Sequence, residues 1–394
     1  MGNKVVINTN MNTEKTKFYK EILDDYEPPA WPDADPVDPI FPEDPIDRDV
    51  VIAVGGATQD NGKAIQNIVE LKNGVVDTIM GGSSFKGLVS QNYVILNGGI
   101  TVGTVYGGSS TEGVVNGNIV EVKSEHYISK GPIIGGSSSA GSVENNMVII
   151  SAGEIKSDIK GGENFSSLPN SGNAVFIKGG SVSNIYGGYN YTDGDINNNY
   201  IEITNGIVNG TIYGGYSGTT FEDNKKGIGV NHNAIKIAGG TIKQSIYGGY
   251  SLSNTEVKEN IVEIYDGHIN SSIYGGYSDY SNVEKNTVAI FGGIITKDIY
   301  GGYSQNGKAT NNTVILAGGK ISSNIYASAS ANESSGKIVL QKGADVSQAN
   351  LHGKLNTSNS LINNTNTTNN TLEIDSWSGS INTIHDFDNI HFAI

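Results

Sequence analysis

A Gly-Gly pair recurs along most of this chain and constrains its fold more than any other feature. The pair, or its last degenerate form Ala327-Ser328, begins at positions 55, 81, 107, 135, 161, 187, 214, 248, 275, 301 and 327. The successive steps are 26, 26, 28, 26, 26, 27, 34, 27, 26 and 26 residues. A constant period of this length is typical of a solenoid, in which each unit buries its apolar surface against its neighbours. We therefore expect one stacked structure between these positions.

Each period also contains an Asn followed by apolar residues at every second position. Asn260-x-Val262-x-Ile264 is typical. This alternation predicts a strand with one buried face, and no segment of the repeat has a helical apolar period. Because all units are alike and no hairpin signal separates them, the strands should pair in parallel with their equivalents one coil later. The glycines are expected where the coil turns sharply or adopts a positive φ. One internal column is predicted from Val69, Val94, Val175, Ile201, Ile235, Val262, Val288 and Val314.

The recurring Asn shares its face of the strand with the apolar residues, so it should point inward. Coils stacked about 4.7–4.9 Å apart would let these amides hydrogen-bond to one another along the solenoid. A row of ligand-binding amides is the alternative interpretation. The sequence favours an internal structural ladder of Asn67, Asn92, Asn118, Asn146, Asn173, Asn199, Asn233, Asn260, Asn286 and Asn312.

Tyrosines flank the Gly pair in five consecutive repeats, and alternation against Ile185 predicts that they face outward. An exposed aromatic ladder could contact sugars or another protein, while ring stacking between coils could equally serve stability alone. The pairs are Tyr186/Tyr189, Tyr213/Tyr216, Tyr247/Tyr250, Tyr274/Tyr277 and Tyr300/Tyr303.

Composition and the two ends bound the remaining possibilities. The net charge is −15 and Arg48 is the only arginine, which argues against nucleic acid as a partner. The chain has no Cys and no apolar run long enough for a transmembrane helix. Residues 1–49 are predicted to be a disordered, acidic, Pro-rich extension with a short helix at 14–25. The β-helix is assigned to 50–355, and 356–394 to a polar linker and a terminal β cap.

The repeats lack the groups that catalysis or metal binding requires. Glycoside hydrolysis needs two carboxyl groups within about 5–10 Å, and the acids here are scattered. Glu202 and Glu263, with Lys236 between them, are interpreted as a solvated charge column. Asp193-Gly-Asp195 is a weak calcium signal without the spacing of a calcium loop. We therefore expect no catalytic residue, no metal site and no cofactor.

The repeat resembles the Gly/Asn-rich repeats of bacterial autotransporter passenger domains. The resemblance is carried by Ile273-Tyr-Gly-Gly-Tyr-Ser278, Asn286-Thr-Val-Ala-Ile290 and Ile299-Tyr-Gly-Gly302 over about 55–355, and Leu372–Ser380 resembles the segment that closes such passengers. It implies a right-handed β-helix on the surface of a Gram-negative bacterium, often an adhesin. The expected fold is thus an all-β, right-handed parallel β-helix of 10–11 coils.

These expectations favour a non-enzymatic adhesin or surface passenger that binds a host-cell or bacterial surface protein or glycan. The chain would be cell-surface, outer-membrane or secreted, and either monomeric or self-associating between cells. The alternatives are a phage tail-fibre-like carbohydrate-binding solenoid and a polysaccharide lyase or glycosidase. The one long insertion, between Gly214 and Asn233, places the candidate binding rim on the loops that follow the Gly pairs. Its residues are Tyr191, Phe221, Tyr280, Tyr216, Tyr250 and Tyr277.

Overall fold

The computed structural model describes residues 3–7, 52–192, 194–218, 229–353 and 369–393, and within them the chain is an all-β parallel solenoid of about 11 turns. All strand pairings between coils are parallel, as the repeat predicts; for example, Val175 pairs with Ile201 and Ile201 with Ile235. The predicted helix at 14–25, Phe221 and the linker at 356–368 lie outside the described residues.

One face of the solenoid is a sheet of 16 strands that contain or replace the Gly pairs, named here the Gly-pair sheet. Its strands are Ile52–Val54, Ala57–Thr58, Thr78–Ser84, Val105–Ser110, Ile133–Ser138, Ile159–Asn164, Ile185–Asn190, Ile212–Ser217, Ile246–Ser251, Ile273–Ser278, Ile299–Tyr300, Tyr303–Ser304, Asn324–Tyr326, Ala329–Ser330, Asn350–His352 and Thr383–His385.

The rest of each coil belongs to a second sheet of 31 strands, named here the Asn sheet. Fourteen of its strands follow or contain the Asn motif or its equivalent: Lys4–Ile7, Ile68–Leu71, Tyr93–Leu96, Ile119–Val122, Met147–Ile150, Ala174–Ile177, Tyr200–Ile203, Ala234–Ile242, Ile261–Ile269, Thr287–Ile290, Ala309–Leu316, Ser334–Gln341, Asn369–Asp375 and Asn389–Ala393.

The other strands of the Asn sheet are short and lie on either side of the motif. Those before it are Ala64–Ile65, Val89–Ser90, Val115–Asn116, Val143–Glu144, Asn170–Ser171, Ile196–Asn197, Gly229–Asn231, Glu256–Lys258 and Val283–Glu284. Those after it are Val75–Val76, Gly99–Thr101, Tyr127–Ser129, Glu154–Ile155, Ser181–Val182, Ile207–Val208, Ile294–Ile295 and Lys320–Ile321.

The core runs the length of the solenoid between the two sheets. All eight members of the predicted internal column are at most 1% exposed. The inward residues of the Gly-pair sheet, such as Ile185, Ile212 and Ile246, are fully buried opposite them. Alternation in the short strands therefore predicted the core correctly.

The Asn ladder is present and accounts for its own polar atoms. Asn233 donates from its backbone N and from Nδ2 to Oδ1 of Asn260, at 3.0 and 2.9 Å. The same Nδ2 donates to the carbonyl oxygen of Ile196 at 2.9 Å. The pattern repeats in coil after coil, so buried amides that would be costly in isolation are hydrogen-bonded.

The structural role predicted for the Gly pair was wrong. Eight of the ten pairs lie within strands, the other two lie between strands of the same sheet, and none has a positive φ. They are glycines because of close approach: a Cβ on Gly249 would lie 2.5 Å from Asn260 Nδ2, and one on Gly248 would lie 2.3 Å from the carbonyl oxygen of Gly275. A positive φ occurs instead at glycines that follow the Asn and its alternating apolar residues, such as Gly240 at +87°.

The last marker shows how tightly the Gly pair and the Asn are coupled. Where Ala327-Ser328 replaces the pair, the ladder position paired with Asn312 is Gly336. Because position 336 has no Asn amide, Ser328 Oγ occupies that space. It accepts a hydrogen bond from Asn312 Nδ2 at 3.0 Å. A side chain on Gly336 would lie 2.8 Å from that hydroxyl. Either the pair or the ladder position must therefore lack a side chain.

Both ends add strands to this scheme. Lys4–Ile7, placed by the sequence analysis in the extension, pairs with Ile68–Leu71, and the backbone N of Asn3 donates to Asn67 Oδ1 at 3.1 Å. Asn369–Asp375 pairs with Ser334–Gln341, and Asn389–Ala393 continues the stack. The terminal cap is thus built as further coils of the same solenoid.

Candidate functional site

The outer face of the Gly-pair sheet carries two columns of tyrosines, named here the Tyr face. The first column is Tyr186, Tyr213, Tyr247, Tyr274, Tyr300 and Tyr326; the second is Tyr189, Tyr216, Tyr250, Tyr277 and Tyr303. Both glycines of a pair are buried, as in Gly214 and Gly215, so the tyrosines on either side of the pair point outward together. Because of the Gly pair, each strand places two tyrosines on the outer face, and these form two columns along the solenoid.

The rings form a continuous herringbone. Within each column, neighbouring ring centroids are 4.8–5.3 Å apart and the planes differ by 2–19°. Rings in successive coils have centroids 4.8 Å apart, which is too far for flat stacking. If each ring plane is tilted by about 40°, the perpendicular distance between neighbouring planes falls to about 3.7 Å, which is van der Waals contact. Opposite tilts in the two columns would give a cross-column angle of about 80°. The observed angles are 74–88°.

This packing decides what the Tyr face can offer a ligand. Ring faces within a column are covered by their neighbours, so the middle of the ladder presents ring edges and hydroxyl groups. Burial raises the pKa of Tyr213 to about 12, with nearby Tyr247 and Tyr216 adding to it. The pKa values of Tyr186, Tyr250 and Tyr274 are also raised, chiefly by burial. At neutral pH these phenols are therefore protonated hydrogen-bond donors.

A buried ion pair ends the Tyr face on its N-terminal side. Lys160 pairs with Tyr186 in the first column and Glu163 with Tyr189 in the second. Both residues are 5% exposed, and Lys160 Nζ lies 2.5 Å from Glu163 Oε1. The ammonium also lies 4.4 Å from the Tyr189 ring centroid, within cation–π range. No periodic pattern in the sequence indicates this pair, because it occurs in a single coil.

The first column ends differently on its C-terminal side. Tyr326 stacks on His352 at 4.7 Å and His352 on His385 at 5.1 Å. Burial lowers the pKa of His352, and the neighbouring His385 adds to that effect. The stack thus continues through the last two coils with imidazole in place of phenol.

The predicted rim residues are distributed along the loops beside the Tyr face. Tyr216, Tyr250 and Tyr277 belong to the second column. Tyr280 is 60% exposed in a loop three coils beyond Tyr191, so the structure does not bring these two together. Phe221 and the inserted residues 219–228 lie outside the described part of the chain.

Tyr191 is 41% exposed and contacts a residue that the sequence analysis did not single out. It stacks on Phe165, also 41% exposed, with ring centroids 4.2 Å apart and planes 6° apart. Both residues directly follow the last strand residue of the Gly-pair sheet in successive coils. Aligning the coils on that strand would have placed the two aromatic residues side by side.

The described residues contain no group of three or more His, Asp or Glu side chains able to hold a metal ion. The acids Glu202 and Glu263 form the predicted charge column with Lys236, whose Nζ lies 2.9 Å from Glu202 Oε1. A shallow groove beside Val75, Ile100 and Ile128 has no carboxylate in its lining. Among described residues no helix is long and apolar enough to span a membrane.

Fold and surface together define a parallel β-solenoid repeat protein with an internal Asn ladder and an external Tyr ladder. No family model, curated protein or solved structure matches the chain. Inferences about its role therefore rest on the surfaces described above.

Proposed function

We propose that this protein is a non-enzymatic, adhesin-like binding solenoid whose Tyr face and adjoining loops contact a macromolecule on another surface. The observation that carries the proposal is the restriction of the double Tyr column to one part of a repeat that is otherwise uniform. Coils without it, such as the one containing Ser109, keep the same core and pairing. Aromatic side chains with a hydroxyl are enriched at recognition surfaces for their contact area and hydrogen bonding.

The size of the face favours a weak contact that is repeated. Five coils spaced by about 4.8 Å give a strip roughly 25 Å long, and two columns give it a width of roughly 12 Å. The resulting area of about 300 Å² is well below the 800 Å² per partner of a stable protein complex. Weak contacts become effective when many copies act together, as on a cell surface.

The proposed location is the cell surface, the outer membrane or the medium, and the proposed class is the passenger domain of a bacterial autotransporter. Support comes from the Gly/Asn repeat and from the lack of Cys, which suits passage through a pore in an unfolded state. The alternative is a carbohydrate-binding solenoid of the phage tail-fibre type. Expression of the complete gene with detection of the chain on intact cells tests the location, and exclusive recovery inside the cell would contradict it.

The binding role is tested by replacing Tyr216, Tyr250 and Tyr277 with Ser. Ser is the residue that earlier coils carry in this column, at Ser83, Ser109 and Ser137, so the backbone already accommodates it. Binding of the labelled protein to bacterial and epithelial cells should fall at least about tenfold, equivalent to about 1.4 kcal/mol. Tyr265→Ser, on the Asn sheet, is the control. Equal binding by the triple variant and the wild type would refute the role of the Tyr face.

A further inference from the structure

The loop at the N-terminal end of the Tyr face contains an exposed aromatic group that is held by several hydrogen bonds. Phe165 and Leu168 are 41% and 45% exposed, and Phe165 stacks on Tyr191. Asn164 is fully buried at the last strand position after the Gly pair, where most coils have Ser. Its Oδ1 accepts hydrogen bonds from the backbone N and the hydroxyl of Ser166, at 2.9 Å each. Its Nδ2 donates to the carbonyl oxygen of Leu168 at 2.9 Å. The loop is therefore fixed from within.

The buried ion pair fixes the same group from beneath. Glu163 accepts the Ser137 hydroxyl at 3.2 Å and the Tyr191 hydroxyl at 3.5 Å, while Lys160 Nζ lies 5.6 Å from the Tyr191 ring centroid. A buried ion pair is costly to desolvate, and the preceding coil builds the same strand with Ile134 and Ser137 instead. The preceding coil forms without this pair, whereas in this coil the pair contacts Tyr191 from beneath.

Phe165, which is 41% exposed, lies next to a step of small residues in its column. Thr111, Ser139, Phe165 and Tyr191 occupy one column, because the backbone N of each donates to the preceding coil at the same place. Tyr191 covers one face of the Phe165 ring. On the other side the column continues with Ser139, whose side chain is too short to cover a phenyl ring. Ser139 in the same column and Ser167 in the same loop as Phe165 are both exposed, so both hydroxyl groups are accessible from outside.

We infer that this step is a saccharide subsite, in which the apolar face of a pyranose ring stacks on Phe165 and its hydroxyls bond to the neighbouring serines. Sites for small ligands combine an aromatic surface with a few fixed polar groups. Three side chains that are 41–45% exposed, Phe165, Leu168 and Tyr191, offer far less area than the about 800 Å² per partner of a protein interface, so they fit a sugar ring better. The inference rests on the proposed binding function and names its ligand class.

The test is a glycan microarray of hexose, N-acetylhexosamine, deoxyhexose and sialylated oligosaccharides, followed by calorimetry with the oligosaccharide retained most strongly. Phe165→Ser introduces the residue of Ser139 and should weaken affinity at least about tenfold. The matched control is Phe85→Ser, which removes an equally exposed Phe from the same column three coils away. Its affinity should equal that of the wild type.

A second variant tests the support beneath Tyr191. Lys160→Ile with Glu163→Ser reproduces the preceding coil and should weaken the same oligosaccharide by about threefold to tenfold while the circular dichroism spectrum is unchanged. The saccharide subsite is refuted if the array retains no glycan or if Phe165→Ser binds the retained oligosaccharide like the wild type. In each case, a loss of cell binding by the Tyr216, Tyr250, Tyr277 variant would still support the Tyr face as a contact surface.

Discussion

The Gly-pair sheet has two different outer faces on one uniform inner structure. In the N-terminal part, the first column contains Met80, Tyr106 and Ile134 and the second contains Ser83, Ser109 and Ser137. In the C-terminal part, both columns are tyrosine over five coils. The inward residues, the Gly pairs and the Asn ladder are the same in both parts.

This difference separates what the fold requires from what has been added to it. The Asn ladder and the Gly pair depend on each other in every coil, since one fills the space that the other leaves. The tyrosine rings in the middle of the ladder stack on the tyrosines of the neighbouring coils. A coil therefore forms with or without the Tyr face, and variants can break either layer separately.

The largest effect is expected from the Asn ladder, and it should be equal in the two parts. Asn260→Ala removes the acceptor of two Asn233 donors, and Asn118→Ala does the same to Asn92. With about 1–3 kcal/mol for each buried donor left unpaired, we expect a loss of about 4 kcal/mol in either variant. Urea unfolding followed by circular dichroism measures it.

Asn205→Ala, at an exposed turn, is the control and should change stability by less than about 0.5 kcal/mol. A loss at Asn118 very different from that at Asn260 would mean that the two parts do not share one scaffold.

The next effect should occur only in the Tyr part. Tyr250→Ser removes stacking on both Tyr216 and Tyr277, and we expect a cost of about 2 kcal/mol at about 0.5–1.5 kcal/mol for each ring pair. Tyr303→Ser, with one neighbour in its column, should cost about half as much. Ser109→Tyr should be nearly neutral, because its column neighbours are serines. Equal urea midpoints for the Tyr250 and Tyr303 variants would contradict a cooperative ladder.

Alkaline pH should weaken the Tyr part selectively. The pKa of Tyr213 is raised from 10.0 to about 12, so the folded chain holds this proton more tightly than the unfolded chain. The resulting stability is complete below pH 10 and is lost as the pH rises through 12. Phenolate absorbance and circular dichroism should change together over this range. The variant with Ser at 216, 250 and 277 should lose less stability there.

Tyr127 needs a separate control, because burial raises its pKa to about 12 in the part without the Tyr face. Tyr127→Phe removes its contribution and should leave most of the alkaline transition in place. If Tyr127→Phe abolished the transition, the ladder would not be its cause.

The smallest effect concerns the corner before each ladder Asn. Gln91 and Lys285 adopt φ values of 57° and 55°, a left-handed conformation that is strained for these residues. Gly at either position relieves the strain but loosens the unfolded chain, so we expect a gain of at most about 1 kcal/mol, equal in the two parts. Thermal unfolding midpoints measure it, and a clear loss at either corner would contradict the assignment of strain.

The sequence predicted the features that repeat and missed those that occur once. The period, the alternation and the Asn ladder each had about ten copies to define them. Asn3-x-Val5-x-Ile7 carries the same motif as the coils but lies 64 residues before Asn67, outside the period, so it was assigned to the extension.

Other differences depended on contacts that spacing alone does not contain. The Gly pair was assigned to turns because glycine allows a positive φ, whereas its role is to admit the Asn amide against the backbone. The 28-residue step from Gly107 to Gly135 contains Tyr127, which turns into the core, where its hydroxyl lies 2.6 Å from that of Thr101. The Lys160–Glu163 pair and the stacking of Phe165 on Tyr191 likewise required the fold to bring the coils together.

Hydroxyl-radical footprinting of the intact protein, free and bound to target cells, tests most directly whether the Tyr face is a contact surface on a scaffold that forms without it. Tyr280 and the second column should be oxidised less when bound, while Tyr265 and Phe291, exposed on the Asn sheet, should be oxidised at the same rate in both states. Protection of Tyr265 and Phe291 with unchanged oxidation of the Tyr face would contradict the account.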